Sequence, residues 1–154
     1  MQASALGHFM RESGPWTYAI VNLAHVLGIA TLFGSILVLD LRLMGLGRRV
    51  PLSALSQAIV PVTTAGFLIA ATTGVGLLAT KATEYVGNPF LLIKFPAIAL
   101  GLVNAAALTR TEAWRAHARR DLTLPEQRRL AVMGGLSLLC WLTAFTAGRM
   151  IAYW

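Results

Sequence analysis

An all-α integral membrane four-helix bundle is the fold the sequence predicts, and three observations carry that expectation. Of 154 residues, 56% are hydrophobic and 12% are charged, about half the charged share of a soluble domain, which is roughly 25%. The apolar residues fall into four runs, 16–39, 58–80, 90–109 and 130–154, each long enough to cross a hydrocarbon core of about 30 Å. The basic residues are confined to short links between those runs, so the net charge of +7 reads as membrane topology and calls for no nucleic acid. Residues 1–154 form a single transmembrane domain, and no inverted internal repeat is evident.

The first run, Trp16 to Leu39, is 24 residues without a fixed charge, about 36 Å as a helix. Gly14-Pro15 breaks the chain before it and puts proline at the first helical position, while Trp16 and Tyr18 stand where interfacial aromatics belong. No basic segment, apolar core and cleavage site precede it, so the first span itself is expected to direct insertion. It ends at Asp40-Leu41-Arg42, whose two charges are expected as a solvated pair at headgroup level, and Gly45, Gly47, Arg48, Arg49 and Pro51 close the turn.

The second span has Pro61 in its first turns, and Thr63, Thr64, Thr72 and Thr73 are expected to return their hydroxyls to carbonyls one turn earlier. After a link from Lys81 to Gly87, Asn88-Pro89 is a strong helix start for the third span, which holds Lys94, Pro96 and Asn104. That helix is expected to continue into TRTEAWRAHARR with His117 facing solvent, and Thr123-Leu-Pro125-Glu126 reads as a capping box opening the last helix. The last span carries one charge, Arg149, and ends in Tyr153-Trp154. Small residues at Ala24/Gly28, Ala30/Gly34, Gly101/Ala105 and Gly134-Gly135 are the candidate sites of close helix approach. Cys140 is the single cysteine, which excludes an internal disulfide and a CxxC site and leaves the thiol as an apolar filler.

Nine Lys and Arg residues lie in the first and third links, against four on the other side. Both termini are therefore expected on the periplasmic face of a bacterial inner membrane. The expected partners are membrane lipids and either a second copy of the chain or a larger membrane complex.

His25 is the candidate functional residue, because an ionisable side chain ten residues into a span marks a site by default. Around the helix, Tyr18, Asn22 and Ser35 lie within about 80° of it, and Gly28, one turn on, is expected to leave room for a flat ring. Lys94 and Arg149 fall about 6 to 8 Å from the outer ends of their helices and His25 about 14 Å from its own. Two cations above one neutral ligand suit haem b, with His25 as metal ligand, Asn22 beside it, and Lys94 and Arg149 on the propionates. The second axial position is open: His8 and His117 are expected outside the hydrocarbon, and Met133 and Met150 lie in the last helix. A histidine bonded to a neighbouring helix and a copper site are the alternatives at the same residue. A transporter is disfavoured because no acidic residue is expected inside a span.

The runs NLAHVLGIATLFGSILVLDLRLMGLGRR and NPFLLIKFPAIALGLVNAAALTR resemble a family of small bacterial four-span membrane proteins of unknown function. More distantly, the chain is similar to the HemJ-type protoporphyrinogen oxidases and to the membrane domain of copper-resistance D proteins. In the HemJ-type family a first-span histidine and a lysine opening a later span are associated with haem b, and His25 and Lys94 occupy those places here. Leu108-Thr109-Arg110 stands where such relatives often carry a further histidine, so the resemblance implies neither a bis-histidine haem nor the oxidase activity. Two functions follow as expectations: a haem-b electron-transfer protein, or a non-enzymatic accessory subunit of a larger complex in which His25 and Asn104 make interhelical hydrogen bonds.

Overall fold

The computed structural model describes residues 15–80 and 87–153. It shows an all-α four-helix fold, with no strand among the described residues: α1 (Pro15–Leu43), α2 (Leu52–Thr80), α3 (Pro89–Arg110), the short α4 (Glu112–Ala116) and α5 (Leu124–Met150), followed by a 3-10 turn at Ile151–Tyr153. α1, α2, α3 and α5 are each long and apolar enough to cross a membrane. His8, Arg11, Gly14, the link beginning at Lys81 and Trp154 lie outside the described residues.

Local chemistry sets the helix ends. α1 closes on a Schellman arrangement: Leu46 N–H donates to the Leu41 carbonyl at 2.9 Å and Gly45 N–H to that of Arg42 at 3.1 Å. Gly45 takes φ +103° there and Gly47 takes φ +63°, conformations that a side chain would strain. Asn88 caps α3 as expected, its Oδ1 accepting from Phe90 N–H at 2.9 Å. The Glu126 carboxylate accepts from the Thr123 backbone N–H at 2.8 Å and from the Thr123 hydroxyl at 2.9 Å, which realises the predicted box at the start of α5. Arg120 joins it with two hydrogen bonds of 2.9 and 2.7 Å, and this partner raises the guanidinium above its usual range.

The boundaries correct the sequence reading in three places. α1 runs past Asp40, and that residue is only 3% exposed, so the expected solvated Asp40–Arg42 pair does not form. Arg42 Nε donates instead to the Val50 carbonyl at 2.8 Å. α2 begins at Leu52, which puts Pro61 inside the helix rather than in its first turns. The third helix stops at Arg110 because Thr111 takes an extended conformation and starts α4, its hydroxyl accepting from Trp114 N–H at 3.1 Å.

Packing falls into two compact units. In the first, formed by residues 15–34 and 61–80, α1 and α2 meet backbone to backbone. A β-carbon on Gly66 would lie 2.7 Å from the Leu32 nitrogen, and one on Gly28 would lie 2.8 Å from the Ala70 nitrogen. Gly28 therefore offers no room for a ring, contrary to the expectation, since α2 fills the space.

The second unit comprises residues 35–60 and 88–153. Its core is built from side chains: Leu39, Leu43, Leu108, Ala113 and Leu130 cluster, with Leu52, Ile59, Trp114 and Met133 against them. Gly101 accommodates the Trp141 indole, whose Cε2 would lie 3.1 Å from a β-carbon there. Gly134 admits Asp40 and Leu43, whereas Gly135 has no neighbouring atom within 4 Å of such a carbon. The Asn104 amide donates to the Met133 carbonyl at 3.0 Å, tying α3 to α5.

Candidate functional site

His25 is half-buried on α1, and its Nδ1 lies 3.0 Å from Thr73 Oγ1 on α2. Thr73 decides the tautomer. Its hydroxyl proton is committed to the Ile69 carbonyl one turn earlier, so its oxygen can only accept, and His25 must donate through Nδ1–H. Nε2 is then the unprotonated nitrogen of the ring. Metal-binding histidines are oriented in the same manner, one nitrogen donating to a fixed oxygen and the other presenting its lone pair.

Gly74 makes the ring position accessible. A β-carbon at that residue would come within 2.9 Å of Cε1, so any larger residue would displace the imidazole. Thr73 and Gly74 escaped the sequence reading, which took the threonines of α2 as hydroxyls turned onto their own helix. Thr73 does make that bond, and also accepts from His25; the Thr72-Thr73-Gly74 triplet is the only local hint.

Asn22, one turn before His25 on α1, is exposed. Lys94 and Arg149 belong to the second unit. The Lys94 stem lies along Gly148, with Nζ and Cε both 3.6 Å from where a β-carbon there would stand. No ion pair involves Lys94 among the described residues. Arg149 is exposed; it donates to the Tyr153 hydroxyl at 2.7 Å and its Cζ lies 4.9 Å from the Tyr153 ring centre. Met150, one of the methionines considered as a second ligand, lines an apolar groove of α3 and α5 with Phe90, Ile93, Leu142 and Thr146.

His117 is not the solvent-facing residue expected. Its Nε2 lies 2.9 Å from Ser56 Oγ, its Nδ1 bonds the Trp114 carbonyl, and its ring centre lies 4.6 Å from that of Trp114 with the planes tilted by 36°. With both nitrogens engaged, it serves as a structural tie between α4 and the start of α2. Among the described residues no three His, Cys, Asp or Glu side chains converge as a metal cluster.

Fold and site together define an all-α protein with four helices long and apolar enough to cross a membrane and a histidine on the first of them hydrogen-bonded to the second. Comparison with family models, with curated proteins and with solved structures finds no match for the chain.

Proposed function

We propose that this chain is a haem-b-binding protein of the bacterial cytoplasmic membrane that takes part in electron transfer, with His25 as the residue that would hold the iron. The single observation that carries the reading is the hydrogen bond between His25 Nδ1 and Thr73, which fixes the orientation of the imidazole on α1. The donor set fits the group: one imidazole is enough for an iron already held by four porphyrin nitrogens, whereas a bare copper or zinc ion would need several protein ligands. Bound haem would supply a one-electron couple, which the protein tunes through ligand orientation and burial. In this reading His25 would hold the group, Thr73 orients the imidazole, and Asn22 is a further polar contact on α1. The weight of Lys and Arg in the first and third links supports both termini lying on the periplasmic side. The similarity to HemJ-type proteins suggested by His25 and Lys94 belongs to the same proposal.

An absorption spectrum of the detergent-purified protein, oxidised and reduced, tests it. A Soret band is expected that disappears in His25→Ala while circular dichroism still reports a helical fold. A colourless, folded preparation overturns the proposal.

A second reading has its own observation. The bond to Thr73 and the contact with Gly74 also account for His25 as a tie between α1 and α2, as in an accessory subunit of a larger membrane complex. It predicts no chromophore and co-purification with a fixed partner.

A further inference from the structure

Asp40 stands apart from the site around His25 and is harder to explain as packing. Its side chain lies on α1 one turn before the helix end, 3% exposed, between Leu39 and Leu43 of the apolar cluster. Oδ2 has no hydrogen-bond partner, and Ser137 of α5 is the hydroxyl beside the carboxyl. Gly134, three residues before Ser137, brings the helices together here: a β-carbon on it would lie 3.1 Å from the Asp40 carbonyl oxygen and 3.0 Å from Leu43 Cβ. No charged group among the described residues faces the carboxyl. On its own helix Arg42 is bonded to the Val50 carbonyl, and α5 presents Gly134 and Ser137.

An ionised carboxylate in this position would keep one anionic oxygen buried without a donor or a counter-ion, and such groups neutralise rather than stay charged. A carboxylic acid suits the geometry. Its O–H donates to the Ser137 hydroxyl, and Oδ2 is then a carbonyl oxygen, which is far less costly to leave unpaired. We propose that Asp40 and Ser137 form a proton-binding site between α1 and α5, occupied while the two helices are packed. Release converts the acid to carboxylate and delivers the proton to water at the arginine-rich end of α1, leaving an anion that the closed contact at Gly134 cannot solvate. Proton loss and opening of that contact are therefore coupled. The inference does not depend on haem.

Infrared spectroscopy of the purified full-length protein, in a detergent without ester groups, tests it. At neutral pH the wild type is expected to show the carbonyl band of a protonated carboxylic acid, shifted by exchange into deuterium oxide and lost in Asp40→Asn. Ser137→Ala is expected to move the band to higher frequency without removing it. Should Asp40→Asn fail to fold, alkaline titration of the wild type serves instead, the acid band giving way to a carboxylate band. Carboxylate bands alone at neutral pH, an acid band that survives Asp40→Asn, or a carboxylate band that responds to sodium rather than to pH would each overturn the proposal.

Discussion

The two units of the chain are each built on helices long and apolar enough to cross a membrane, and they hold together in different ways. Residues 15–34 and 61–80 pack through backbone: Gly28 and Gly66 bring main chain against main chain, and Leu32, Ala70 and Ala79 are the apolar side chains buried there. Residues 35–60 and 88–153 pack through side chains around Leu39, Leu43, Leu108 and Leu130, with Asp40, Ser56, Asn104 and Thr111 buried among the helices. In a bilayer, lipid tails are as apolar as leucine, so neither unit would gain there from hiding hydrocarbon as a soluble core does. Close approach and polar bonds decide the fit. The glycine-packed unit leaves one imidazole fixed at a helix crossing, whereas the side-chain-packed unit buries a series of polar groups.

Substitutions can break or sharpen that contrast. The largest effect is expected for Gly66→Leu, because its first added atom would meet the Leu32 backbone at 2.7 Å and backbone cannot move aside cheaply. The expected cost is about 3 kcal/mol, read as loss of resistance to denaturing detergent by circular dichroism. Gly34→Ala is the control: nothing lies within 4 Å of the added carbon, and removing a mid-helix glycine should gain about 0.5 kcal/mol. A cost for Gly34→Ala as large as that for Gly66→Leu would refute backbone packing as the cause.

Gly134→Val comes next, at about 2 kcal/mol, since Leu43 can yield slightly but the Asp40 backbone cannot. In the same unit Asn104→Leu removes the amide bond to Met133 while keeping volume, and the expected loss is about 1 kcal/mol in the same assay. Thr73→Val should cost only about 0.6 kcal/mol in stability. Its second readout is sharper: with haem bound, losing the fixed Nδ1–H bond should shift the reduction potential while the Soret band stays. The smallest change is expected for Glu126→Gln, whose carboxylate pairs with Arg120 at an exposed helix start. Any difference in its melting temperature from the wild type should fade as salt is added.

Helix ends were legible before any coordinates because they rest on neighbours in the chain. Asn88 before Pro89 and Glu126 three residues after Thr123 each place donor and acceptor within one turn, and both form as read. The candidate site was half legible: His25 stood out by its depth in an apolar run, but its partner Thr73 is 48 positions away and resembled its neighbours. Ala30/Gly34 and Ala24/Gly28 are the same pattern on paper, yet only Gly28 touches another helix. Asp40 and His117 were misplaced for a related reason, since a charge or ring near a helix end looks solvated until another helix is known to cover it.

Composition and local sequence were thus sufficient for four long apolar helices and their caps. Which glycines are contacts, which hydroxyl fixes the His25 tautomer and that Asp40 is enclosed were settled only by tertiary packing. The physical reason is that a helix apolar on every side carries no stripe to mark its inner face. Identical stretches of sequence can then meet lipid or another helix, and only the arrangement in space tells them apart.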